Sequence, residues 1–527
     1  MLKIKKMLSM AIALIMATSI LAGCNKGPGK QENASPITYA ENIYPMQCED
    51  ELLVWTNSLN SEDLNTIPFG LAWQEQTGVK VKFDQPIGSG LEPLNTLLAS
   101  GQLPDIMITD LYAAPGGIMK MASDGVIIPL DDYIDAYAPN LKKYLEENPE
   151  VAKQVKSDDG HFYYFPFVRQ DERLTASQGL ALRKDMLDKA GLDVPTTIDE
   201  WTEVLRAFKA QGADAPFSAS TFNWTEFPKG FIMGAYGTKG TFYVENDKVK
   251  YGYLEEDKMK GALGIFRDWY DEGLLDRNIV DVADLDGQIF QGKTAASILW
   301  AGSGMGKYMN AKPSPEFELV AAPPAVLEEG QVNNFAGGGF LAGTSNCGYI
   351  TTACKNIELA VRFLDYGFSE AGHILMNFGI EGESFNWVDG YPAYTDVILK
   401  NPDGKSISEA MKPYIVASGS FPGVQDYRYL EPYYQLECQK NAPVEWAKGN
   451  ATATELPRLM FTAEESDKVA PIKTNIDTCS DEWAFKFITG AASLEDDYDK
   501  FKSELETYGI NEILEIYQAA YDRYLKR

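Results

Sequence analysis

Residues 287–294, Gly-Gln-Ile-Phe-Gln-Gly-Lys-Thr, match the spacing of a phosphate-binding loop letter for letter. Such a loop sits between a strand and a helix, and its backbone amides cradle phosphate. Here the residues after the motif, 295–300, read as a strand, and Asp281, Asp284 and Asp286 place negative charge before it. The segment therefore reads as a helix end, a Gly-Lys turn and a strand. Asp284-Leu-Asp-Gly287 also matches part of a calcium loop. That loop needs an oxygen ligand where Val282 stands and a glutamate where Lys293 stands. Histidine is limited to His161 and His373, so a His-based catalytic pair or multi-His metal site is barely available. There is no Gly-x-Ser-x-Gly elbow and no His-Glu-x-x-His helix. Carboxylate pairs for glycoside hydrolysis are defined by spatial separation, and the sequence singles out none among 76 acids. No catalytic residue, metal or cofactor is expected.

The net charge of −29 repels a phosphate backbone, which argues against a nucleic-acid partner. The first residues are an address rather than a fold. Lys3, Lys5 and Lys6 precede an apolar run over 7–21, and Leu21-Ala-Gly-Cys24 follows at once. A basic start, a short apolar stretch and small residues before a cut make a secretory signal peptide over 1–23. The cysteine directly after Leu-Ala-Gly resembles the bacterial lipobox, which implies a lipid on Cys24. The chain would then be held at the extracellular side of a cell membrane rather than span it. Residues 24–44 begin with a polar, Gly- and Pro-bearing stretch and read as a tether. The remaining thiols, Cys48, Cys347, Cys354, Cys438 and Cys479, form no Cys-x-x-Cys pair, and sequence alone leaves their disulfide state open.

The body must supply the elements that position any site. Residues 51–56 form a buried-strand pattern, 79–83 alternate apolar and polar, and 105–109 form a third strand; 91–100 read as helix. Thr197 and Glu200 fit a capping box, and Ile198, Trp201, Val204, Leu205 and Phe208 share one helical face before Gly212 stops it. Ile357 to Phe368 and Ile513 to Tyr524 repeat that spacing. Alternating strands and helices predict α/β domains with mainly parallel sheets. Trp55, Trp201, Trp269 and Trp483 fall on these patterns and read as core.

Five segments in order carry a resemblance. They are Ser-Gly-Gln-Leu-Pro-Asp-Ile over 100–106, Gly-His-Phe-Tyr-Tyr-Phe-Pro over 160–166, and the Leu-Arg-Lys-Asp-Met-Leu-Asp-Lys-Ala-Gly-Leu and Pro-Thr-Thr-Ile-Asp-Glu-Trp stretches over 182–201. Gly-Ile-Glu-Gly-Glu over 379–383 with Asp389-Gly390, and the ending Phe487-Ile-Thr-Gly490, Tyr508-Gly-Ile510, Ala520 to Tyr524, complete the set. Together they resemble extracellular solute-binding proteins (family 1 type) of bacterial ABC importers, in the large lipoprotein subgroup associated with oligosaccharide import. The resemblance implies a two-lobed, type II periplasmic-binding-protein-like α/β fold, with a ligand cleft between lobes joined by hinge segments. It places lobe one at 45–168 plus 340–405 and lobe two at 169–339 plus 406–527. It implies an oligosaccharide as ligand and ABC permease subunits as partners, and no enzymatic turnover.

Ligands of doubly wound sheets sit beyond the carboxyl ends of strands. Asn57 and Ser58 follow the first strand, Asp110 the third, and Trp300 the strand over 295–299. Aromatic rings stack on sugar C–H faces while Asp, Asn and Arg bond the hydroxyl rim. Trp224, and Glu383 with Trp387, lie in polar-aromatic loops, and Arg169 sits beside the expected first hinge. These eight residues are the expected ligand contacts. Two alternatives stay open: a secreted carbohydrate-active enzyme, which needs two carboxylates converging in the cleft, and a glycan-sensing or adhesion protein on the same fold.

Overall fold

The computed structural model describes residues 34–41, 43–57, 59–88, 90–219, 230–279, 282, 284–337, 341–343, 346–417 and 419–527. Cys24, Ser58 and Trp224 lie outside the described residues. The strands of the first half are β1 (Thr38–Ala40), β2 (Ile43–Gln47), β3 (Glu51–Thr56), β4 (Lys80–Asp84), β5 (Ile106–Thr109), β6 (Phe167–Arg169), β7 (Gln178–Arg183), β8 (Phe242–Glu245) and β9 (Lys248–Tyr251). Those of the second half are β10 (Ala296–Trp300), β11 (Leu319–Ala321), β12 (Leu341–Ala342), β13 (Cys347–Ile350), β14 (Phe385–Val388), β15 (Tyr391–Tyr394) and β16 (Gly423–Val424).

Two main sheets organise two α/β lobes. The first has the order β13-β5-β3-β4, with β3 parallel to both β4 and β5 and β13 antiparallel at the edge. Its apolar runs explain it: Leu52, Val54, Ile106, Met107 and Ile108 are all buried, as expected for strands covered on both faces. The second sheet, β10-β7-β11, is antiparallel throughout. The expectation of mainly parallel sheets fails there. Alternation of element types constrains which segments are strands, while strand direction depends on where each excursion of the chain re-enters the sheet.

A third, small sheet joins segments from three distant parts of the chain. Its order is β12-β6-β16, with Ala342 and Val424 both opposite Val168. Gly343 N donates to Phe167 O at 2.9 Å and Gln425 N to Val168 O at 2.9 Å.

Helices cover the sheets much as their patterns foretell. The Ile198–Ala210 helix carries both halves of the Thr197–Glu200 capping box. Trp55, Trp201, Trp269 and Trp483 are buried. The Leu285–Phe290 helix is capped by Asp284, precedes Gly292 in a left-handed turn, and leads into β10. The motif at 287–294 thus runs helix to strand, opposite to a phosphate loop. The long Ala463–Thr489 helix packs against both the Glu256–Asp271 and Gly117–Ser123 helices. Among the described residues Cys48, Cys347, Cys354, Cys438 and Cys479 form no disulfide with one another. Among the described residues no helix is long and apolar enough to cross a membrane.

Candidate functional site

Because β3 and β5 are parallel neighbours, the residues after them emerge at the same edge of the sheet. Thr109 Oγ1 donates to Asn57 Oδ1 at 3.0 Å, and Asn57 Nδ2 donates to Gly90 O at 3.1 Å. Asp110 shapes the next turn by accepting from Tyr112 N at 3.1 Å. Both Asp110 oxygens lie 3.4 Å from Arg458 Nη2. The Arg458 Nη1 donates to Gly343 O at 2.5 Å, and its guanidinium stacks 4.0 Å from the centroid of the Tyr112 ring. Burial acts to lower the Arg458 pKa, but the Asp110 charge together with the neighbouring Cys347, Tyr112 and Tyr349 outweighs it, and the net direction is upward. The guanidinium thus links the first sheet, the small sheet at Gly343 and the segment before the Ala463–Thr489 helix.

Tyr112 and Arg458 open onto a cavity of about 660 Å³, and Asp110 stands behind Arg458. Tyr112, Gln154 and Ala342 line it together with Thr241, Phe242, Glu455 and Arg458, and Tyr517, Tyr521 and Tyr524 come from the Ile510–Tyr524 helix. The cavity therefore combines aromatic rings with a few polar and charged tips, the composition that suits a ligand with C–H faces and a hydroxyl rim. Among the described residues no cluster of three His, Cys, Asp or Glu side chains is placed to hold a metal ion.

The other expected contacts lie elsewhere. Arg169 ends β6, where its Nε donates to Gln425 Oε1 and its guanidinium lies 5.0 Å from the Phe167 ring centroid. Burial lowers its pKa. Its side chain is thus engaged within the small sheet. Trp300 is the last residue of β10, opposite Gln178, and is 41% exposed. It lines a separate cavity of about 350 Å³ with Asp284, Asp286, Lys307 and Tyr308. Tyr308 Oη donates to Asp286 at 2.5 Å and Lys307 Nζ also bonds that carboxylate. Burial pushes the Asp286 carboxyl up, yet these two bonds and the Lys307 charge together outweigh it and hold the pKa below its ordinary value. Glu383 is exposed in the turn before β14, and its carbonyl accepts from Thr395 Oγ1. Trp387 lies in the β14–β15 hairpin, half-buried against Phe378 and Phe385 at ring distances of 5.8 and 5.3 Å.

Sequence reading brought Asn57 and Asp110 to one edge, and missed Tyr112, Glu455 and Arg458. Tyr112 was within reach, two residues beyond Asp110 on the loop after a strand. Arg458 sits in an aperiodic stretch, and its carboxylate partner is 348 residues away.

The profile of bacterial extracellular solute-binding proteins matches residues 65–374, over half of the chain. The fructooligosaccharide ABC transporter substrate-binding protein FusA of Streptococcus pneumoniae is 26% identical over 99% of both chains. Lipoprotein LipO of Bacillus subtilis is 24% identical over 72% of this chain and 74% of its own. The crystal structure of the alginate-binding protein AlgQ2 superposes with a TM-score of 0.70 at 24% identity, covering 90% of this chain and 98% of that one. The chain belongs to the family of bacterial extracellular solute-binding proteins.

Proposed function

We propose that this protein captures an oligosaccharide between its two lobes and delivers it to the permease of an ABC importer. The observation that carries the reading is the 660 Å³ cavity, where the edge of the first sheet meets β8 and the segment before the Ala463–Thr489 helix. Tyr112 and Phe242 offer faces for sugar rings, and Thr241, Glu455 and Arg458 offer hydrogen-bonding tips. The likeness to FusA along the whole chain supports a sugar ligand. Asn57 and Asp110 serve this reading as supports behind the cavity wall and Arg169 as a brace of the small sheet, with Trp300, Glu383 and Trp387 as outer contacts away from that cavity.

The three strands β6, β12 and β16 are the hinge in this reading. Each is two or three residues long and lies beside the others, so a small rotation there moves one lobe against the other. The third passage then falls at Gly423–Val424, later in the chain than position 405. Ligand contacts on both lobes favour the closed arrangement in proportion to their strength. A lipid on Cys24 holds the protein beside its permease, and more than one acyl chain is needed for a stable anchor. The ligand is released intact, not turned over.

A thermal-shift screen of the full chain against neutral and acidic oligosaccharides, monosaccharides and short peptides tests this. A dose-dependent rise in Tm with an oligosaccharide, and no product on chromatography, is expected. A rise only with peptides, or cleavage of the glycan, contradicts it.

A further inference from the structure

The charged groups around the 660 Å³ cavity are unequally committed. Arg458 gives one terminal nitrogen to Gly343 O, the other to Asp110, and its face to Tyr112. Lys473 bonds Asp477 one turn along its own helix. Lys153 lies 4.9 Å from the centroid of the Tyr524 ring. Arg523 and Arg527, before and after Tyr524 in the sequence, are tied to Asp158, and Arg523 also to Glu465. Glu455 differs. It lines the cavity and has no hydrogen bond or ion pair among the described residues. The opposing charge acting on it is Lys239, two residues before the Thr241–Phe242 wall.

We infer that this cavity selects a neutral, hydroxyl-rich oligosaccharide over a uronic-acid chain, and that Glu455 is the residue that sets the choice. The inference rests on the proposed oligosaccharide reading and narrows its ligand class. Recognition of a uronate carboxylate calls for a free, fork-shaped pair of donors. Both terminal nitrogens of Arg458 are already taken. An unpaired carboxylate is the opposite tool. Its two oxygens accept from adjacent sugar hydroxyls, and charge-assisted bonds of this kind are the stronger ones. The same charge opposes a second carboxylate brought into the cavity, and such like-charge contact is a strong basis for discrimination.

Isothermal titration of the full chain against neutral trisaccharides (kestose, maltotriose and xylotriose) and acidic ones (trimers of galacturonate and of mannuronate) tests it. The wild type is expected to bind one neutral trisaccharide about a hundredfold more tightly than either acid. Glu455→Gln, which keeps the shape, should loosen that neutral sugar about tenfold. Glu455→Lys should narrow the gap further by gaining affinity for the acids. Glu455 is exposed, so both variants should keep the wild-type Tm. Preference for a uronate, or variants that bind every sugar as the wild type does, overturns this inference and leaves the oligosaccharide reading standing. Binding of peptides and of no sugar overturns that reading and this one with it.

Discussion

At the residue scale the Asp110–Arg458 contact is the most exposed to test. Arg458 is far less accessible than its partner, with side-chain exposures of 15% and 32%. Removing the carboxylate leaves the guanidinium facing Tyr112 and Gly343 without its counter-charge. The pair is long, at 3.4 Å, and partly wet, so its loss costs less than that of a dry pair. Asp110→Asn should destabilise the fold by about 1–2 kcal/mol in urea unfolding, and Asp110→Asn and Tyr112→Ala should each weaken sugar binding at least about tenfold. Wild-type affinity in both would remove Asp110 and Tyr112 from the site.

Asp365 makes a second prediction, this one about pH. Its side chain is buried, and burial pushes its pKa up to about 6 despite hydrogen bonds from Leu141 N and Asn140. An acid whose pKa is raised on folding binds its proton more tightly in the folded state. Between about pH 4, its unfolded range, and about pH 6, stability therefore falls as pH rises. Asp365 should contribute a loss of about 2–3 kcal/mol across that window. Chemical denaturation of Asp365→Asn at several pH values should show a flatter slope than the wild type there; identical slopes would contradict the assignment.

At the element scale the sequence was informative where one pattern sufficed. The apolar run of β3 and the Thr197–Glu200 capping box both stand as read, because each is set by neighbours within a few residues. Strand direction in β10-β7-β11 was not legible, since it depends on long excursions. The small sheet was invisible for another reason: strands of two or three residues carry no period. Its integrity depends on Gly343, which sits at φ 70°, where an added Cβ would lie 2.5 Å from Tyr164 Oη. Gly343→Ala meets both backbone strain and a clash with a buried ring. It should cost about 1–3 kcal/mol and weaken sugar binding through displacement of the Gly343 carbonyl that holds Arg458. A variant with wild-type Tm and affinity would show that the β12–β6 junction tolerates rearrangement.

At the scale of the whole molecule, the two main sheets, the short strands between them and the cavity form one arrangement. The order of the five resembling segments makes the fold legible from the sequence. The cavity was only half legible, because Glu455 and Arg458 come from late in the chain and meet Asp110 and Tyr112 only through folding. The central claim is that ligand is captured between lobes that close on the small sheet. The most direct measurement is small-angle X-ray scattering of the full chain, with and without the oligosaccharide that raises its Tm most. Capture between the lobes predicts a smaller radius of gyration at saturation and none of that contraction in Asp110→Asn under the same sugar concentration, chosen below that variant's weakened Kd. A saturated wild-type protein with an unchanged radius would contradict closure around the ligand.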